Sequence, residues 1–185
     1  MKLNIGCGEK KLEGCINIDS EPSTTPDLLC DITKECLPYE PFTVDEIYCI
    51  HNIEHIPIIH WIRVFGEFHR VLKADGLLVL AYPEFEICVK HYLENHHGDK
   101  AFWRATLYGR QLYPGDYHVT PVQTSELTEF LHQFGFNQIK SQPDDAAPYY
   151  TFLTCHKSVR ITREDVLKKE IFGEIHRVDN RFVLK

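Results

Sequence analysis

Leu3-Asn4-Ile5-Gly6-Cys7-Gly8 is a short apolar run that breaks into a Gly-x-Gly turn. Glycine adopts positive φ without steric cost and lets a ligand approach the backbone closely. Further along, Ile16-Asn17-Ile18-Asp19 is a second strand-like run ending in a carboxylate, and Cys30-Asp31-Ile32 ends a third. In an open α/β sheet the ligand crevice lies beyond the carboxyl ends of the strands. A glycine turn followed by two acidic residues along one rim therefore points to a nucleoside, with Asp19 placed to accept hydrogen bonds from ribose hydroxyls.

Outward from this stretch, apolar runs alternate with polar turns. Residues 2–6, 15–19, 28–32 and 44–50 read as strands, and their continuous apolar character is what a parallel sheet covered on both faces requires. Residues 61–72 carry a helical apolar stripe, stopped at Asp75-Gly76, and 77–82 is the next strand, closed by Pro83. Residues 124–134 read as a helix capped at Thr124-Ser125-Glu126 and stopped by Gly135, followed by strands at 136–141 and 149–156. The alternation predicts an α/β fold: an open, doubly wound Rossmann-like sheet, mostly parallel with an antiparallel final strand and helices on both faces. Residues 1–158 form one domain with an insertion at 84–120. Residues 159–185 are a C-terminal extension, read as helical around 165–172.

NAD, FAD and S-adenosylmethionine (SAM) all suit a glycine turn of this kind. A dinucleotide fingerprint places a third glycine at the helix start, where the pyrophosphate sits. Here the turn runs into Glu9-Lys10-Lys11, and Glu9 repels a diphosphate. SAM carries a sulfonium and no phosphate, so the acidic neighbour is tolerated.

As an ordered set, these segments resemble the class I SAM-dependent methyltransferases over roughly residues 2–140. Residues 3–8 are similar to the family's first motif. The fourth-strand pattern is matched by Leu37-Pro38-Tyr39, Val44-Asp45-Glu46-Ile47 and Ile53-Glu54-His55-Ile56. The turn before the fifth strand is matched by Arg70-Val71-Leu72-Lys73-Ala74-Asp75-Gly76, and the start of the sixth by Gly135-Phe136. Within the class, the chain looks like the small methyltransferases with a shortened first helix, often found among surface-polysaccharide genes. The resemblance implies that Asn4, Gly6, Cys7 and Gly8 lie beside the methionine part of SAM, Asp19 at the ribose, Asp31 and Ile32 beside the adenine, and His51 and Asn52 where the chain passes the cofactor. Two departures stand out. Asn4 replaces a common acidic residue, and only residues 9–14 separate the loop from the second strand, where a parallel crossover usually takes about a dozen residues.

His51-Asn52-Ile53-Glu54-His55 spells the inverted zinc-protease pattern H-x-x-E-H. That chemistry needs both histidines one turn apart on a stable helix, and this segment follows a strand and meets Pro57. Glu54 and His55 are instead expected to brace the loop over the cofactor, and no metal is required. His118 is the candidate base for a hydroxyl acceptor, with Tyr117 beside it and Asp116 and Tyr82 shaping the pocket. Cys7 is expected to contribute backbone only, and His96-His97 to be solvated surface. The aromatics of 84–120, including Phe85, Tyr92, Phe102, Trp103, Tyr108 and Tyr113, are interleaved with Lys90, Lys100, Arg104 and Arg110. That mixture suits a small-molecule or glycan acceptor, such as a sugar or sugar nucleotide.

At 185 residues the chain is long enough for one buried core, and 43% hydrophobic with 25% charged residues is globular composition. The formal net charge of −7 disfavours a phosphate-backbone partner, so nucleic acid is not expected. There is no membrane-length apolar run and no signal-peptide pattern. The seven cysteines lack disulfide-framework spacing, which suits a reducing cytoplasm. Two alternatives stay open: a catalytically inactive methyltransferase-like binding or assembly module, and an NAD(P)-linked oxidoreductase.

Overall fold

Seven strands pair in the order β3-β2-β1-β4-β5-β7-β6 in the computed structural model, which describes residues 1–113, 115–158 and two further strands at 175–178 and 181–184. The strands are β1 (Lys2–Ile5), β2 (Ile16–Asp19), β3 (Leu28–Leu29), β4 (Val44–Ile50), β5 (Leu72–Pro83), β6 (Phe136–Pro143) and β7 (Tyr150–Lys157). Pairings from β3 through β5 are parallel, and β7 inserts antiparallel between β5 and β6. This is the expected open Rossmann-like sheet. The third strand is shorter than the expected 28–32. Asp31 turns the chain there by accepting hydrogen bonds from the backbone and hydroxyl of Thr33, so the apolar run ends as a turn.

Helix α1 (Trp61–Val71) links β4 to β5, and α4 (Thr124–Phe134) links the insertion to β6. Their apolar stripes meet through Trp61, Phe65, Phe130 and Phe134. Beneath them, Leu3, Ile5, Ile18, Ile47, Leu78 and Leu80 line one face of the sheet and are fully buried. Each such side chain contributes roughly 1.5–3 kcal/mol on burial. On the opposite face Tyr48, Ile50, Val79 and Phe152 are half-buried. Gly135, at φ 103°, ends α4 in the left-handed conformation, as its sequence predicted.

The N-terminal cap of α4 is not the expected Thr124-Ser125-Glu126 box. Glu84, forty positions back, supplies it: its buried carboxylate accepts hydrogen bonds from the backbone and hydroxyl of Thr124. The insertion is more ordered than its loose pattern suggested. It forms α2 (Phe85–Leu93) and α3 (Lys100–Tyr108), beside the carboxyl end of β5. Trp103, the buried centre of the insertion, stacks edge to face with Phe102 and Tyr149.

The expected helix at 165–172 lies outside the described residues. Part of the extension read as helical is instead extended: β8 (Ile175–Val178) and β9 (Arg181–Leu184) pair antiparallel. Isoleucine, valine and phenylalanine recur in these two runs, and β-branched and aromatic residues favour strands.

Candidate functional site

The glycine turn sits at the carboxyl end of β1. Gly6 and Gly8 have φ of 66° and 50°, and the amides of Gly6 and Cys7 both donate to the carbonyl of Ile18. Gly6 is required twice over. Besides its left-handed backbone, a Cβ there would lie 1.3 Å from Nδ2 of Asn52, which closes over the turn from the end of β4. Cys7 is buried, and that burial, reinforced by Asp19, raises its thiol pKa. This suits a backbone role rather than a nucleophile.

Asp19 holds the turn from below. One carboxylate oxygen accepts from the Gly8 amide at 2.7 Å, the other from the Glu21 amide at 2.8 Å. Each oxygen keeps a second lone pair for a ligand hydroxyl. Asn4 is placed otherwise than beside a ligand amine. It is buried, and its amide donates to the Lys10 carbonyl and to Oδ1 of Asn17 at 2.9 Å. The same Oδ1 accepts from the Leu12 amide, while Nδ2 of Asn17 donates to Asp27 and to the Cys15 carbonyl. This amide pair explains how so short a segment crosses between parallel strands with no helix: side chains satisfy the connector's backbone groups.

Asp31 lies on the same rim, with Lys34 paired to it at 2.8 Å. Burial acts to raise its pKa, but the hydrogen bonds from Lys34 and Thr33 outweigh that and hold the carboxyl below the usual range. Ile32 is buried in the core. His51 takes a left-handed φ of 51° and packs its ring edgewise on Tyr150, with centroids 4.5 Å apart. Burial lifts the phenol of Tyr150 to about 12.

Beyond His51 and Asn52 the chain makes a single tight turn, residues 53–55, and not the helix an H-x-x-E-H metal motif needs. The Glu54 carbonyl accepts from the amides of Val119 and Thr120, and Nδ1 of His55 donates to the Tyr117 carbonyl at 3.0 Å. The expected bracing is therefore present, and it fastens this turn to 117–120. Nδ1 of His118 donates to the Thr106 carbonyl at 2.9 Å. Since carbonyls only accept, Nδ1 is the donor in each ring and Nε2 is the nitrogen left free. The two rings meet edgewise, with centroids 4.7 Å apart. Burial lowers the His118 pKa, with Glu54 opposing it.

Several expected pocket residues serve other roles. Tyr82 is fully buried in the core, with its hydroxyl on Thr124. Asp116 is buried and accepts from Arg110 and the Leu112 amide, pinning the loop. Trp103 is the buried centre of the insertion. Phe102, Tyr108, Tyr113 and Tyr117 are exposed aromatics of the segment. Sequence reading missed Glu84 and Tyr150, whose roles arise from partners far away in the chain.

The strand order and the glycine turn at the end of β1 give the chain the fold shared by SAM-dependent methyltransferases. Residues 14–80 match the family described as "Methyltransferase domain". A SAM-dependent methyltransferase from Archaeoglobus fulgidus shares the fold with a TM-score of 0.60 at 15% identity, over 84% of this chain and 85% of that one. Another, from Methanosarcina mazei, gives 0.59 at 16% identity, over 86% and 92%. A DhpI complex with S-adenosylhomocysteine gives 0.54 at 13% identity, over 86% and 77%. Comparison with curated proteins finds no match. No helix among the described residues is long and apolar enough to cross a membrane.

Proposed function

We propose that the protein methylates a hydroxyl group of a small or glycan-type acceptor, a sugar or sugar nucleotide, in the cytoplasm. The cofactor lies along the turn at Gly6, Cys7 and Gly8, with its ribose on Asp19, its adenine beside Asp31 and Ile32, and its far side against His51 and Asn52. Asn4 supports this site from beneath.

One observation carries the acceptor reading: an imidazole, His118, with Nε2 left free, held beside buried Glu54 just past the strand end that closes over the glycine turn. Methyl transfer from a sulfonium needs alignment above all, because the leaving group is already activated. The acceptor oxygen attacks the methyl carbon. The new C–O bond forms as the C–S pair returns to sulfur, which leaves S-adenosylhomocysteine. The hydroxyl proton passes to Nε2 of His118. The exposed Tyr108, Tyr113 and Tyr117 offer flat apolar faces of the kind that pack on sugar rings.

The test is transfer of label from methyl-labelled SAM to a panel of sugar nucleotides, free sugars and amines. Label in a sugar hydroxyl is expected, and His118→Ala should lower kcat by roughly 10²–10⁴-fold with SAM affinity kept. Label confined to the amines contradicts the hydroxyl assignment.

A further inference from the structure

Glu54 is 2% exposed, and its Oε2 is buried with no hydrogen-bond partner. The other oxygen faces Nδ1 of His51 at 3.7 Å. A buried carboxylate oxygen without a donor is costly, and protein interiors rarely leave one so. Around it, Glu54, His55 and His118 each offer one ligand atom, all within 4.8 Å of one another. The rings are already oriented as metal-binding imidazoles are: each has its Nδ1 proton on a backbone carbonyl, which fixes the tautomer and turns Nε2 outward. The Glu54 carbonyl clamps 119–120, so the turn and the His118 segment are held together without any ion.

We infer that Glu54, His55 and His118 form a site for a divalent first-row transition cation that binds the acceptor's hydroxyl oxygen. The inference rests on the hydroxyl-acceptor reading above and, where the cation is bound, replaces His118 as the proton acceptor in it. Two imidazoles and a carboxylate are the donor set of open catalytic sites for zinc and its neighbours, and they leave positions free for water or substrate. Magnesium, which prefers oxygen ligands, fits less well. Ligand bonds of about 2.0–2.1 Å require the three donors to draw closer than 4.8 Å on binding. The ligand set also departs from the sequence motif. His51 leaves the set because the segment is one tight turn rather than a helix, and His118, far along the chain, takes its place.

With the cation bound, Nε2 of His118 is a ligand and no longer the proton acceptor. The cation lowers the pKa of the coordinated hydroxyl, whose proton passes to water. The resulting alkoxide takes the methyl carbon as the sulfur keeps the C–S electron pair.

The probe is Co²⁺ added to chelator-treated full-length protein, read by visible d–d absorption and by calorimetry. One equivalent should bind, and Glu54→Gln and His118→Ala should each weaken binding by about tenfold or more. His55→Ala, at a less buried position, is the check should the Glu54 variant fail to fold. Absence of saturable Co²⁺ binding, or binding indifferent to all three changes, overturns the site. Methyl transfer that persists at full rate in metal-free protein overturns its role. None of the binding readouts involves SAM or acceptor, so failure of the sugar screen leaves this site standing and failure here leaves the sugar reading standing.

Discussion

At Asn17 both polar atoms of the side chain are engaged: Oδ1 by Asn4 and Leu12, Nδ2 by Asp27 and Cys15. The residue is buried at the strand beneath the glycine turn, so removing its amide strands several donors and acceptors at once. Asn17→Ala is expected to cost about 1–3 kcal/mol in urea unfolding. It should also weaken SAM binding by loosening the connector that carries the turn. A loss below about 0.5 kcal/mol, the range of an ordinary surface change, would show that the amide pair does not hold the crossover. Legibility divides sharply at this scale. The turn at Gly6 and Gly8 and the strand-terminal Asp19 are readable because their placement follows from a few neighbouring residues. Asn4's alignment with an acidic position says nothing of its hydrogen bond to Asn17, which only the fold brings into reach.

Among the elements, α4 depends on a residue outside itself. Glu84 accepts the first free amide of the helix, and Tyr82 and Thr151 complete the contact around Thr124 and the carboxylate. Glu84→Ala should destabilise by about 1–2 kcal/mol, the usual range for a lost cap, measured by denaturant unfolding. An unchanged midpoint would mean that Thr124 is capped by solvent instead. The start of β4 gives a pH-dependent counterpart. Lys73 hydrogen-bonds Asp45 at 2.7 Å, with the Met1 amine on its other oxygen, and together they lower the Asp45 pKa to about 2. A depressed carboxyl stabilises the fold above its unfolded value near 3.8, and the effect disappears as pH falls through the folded value. Thermal melts between pH 5 and 2 should therefore fall less steeply for Asp45→Asn than for the parent, and parallel curves would contradict the assignment. Long periodic elements such as α1 and α4 are legible to within a residue. The third strand is not, because a run of leucine, cysteine and isoleucine looks the same whether or not Asp31 turns it.

Over the whole molecule, the sheet gathers chemistry from segments that the sequence keeps far apart. β4 delivers Asn52 to the glycine turn and Glu54 to the insertion, and the loop ahead of α4 returns His118 to Glu54. A linear reading finds each residue but not the company it keeps. H-x-x-E-H suggests His51 as Glu54's metal partner, whereas the tertiary fold assembles His55 and His118 around that carboxylate. The seven cysteines are all free, and five of them are buried. Burial raises the Cys88 thiol to about 12, so these groups pack as small apolar side chains.

Calorimetric titration with SAM, S-adenosylhomocysteine and NADH shows whether this rim is a SAM site. Binding of the first two with dissociation constants on the order of micromolar, none of NADH, and a loss of roughly tenfold or more in Asp19→Ala is the expected result. A folded sample that binds NADH instead, or none of the three, would contradict it.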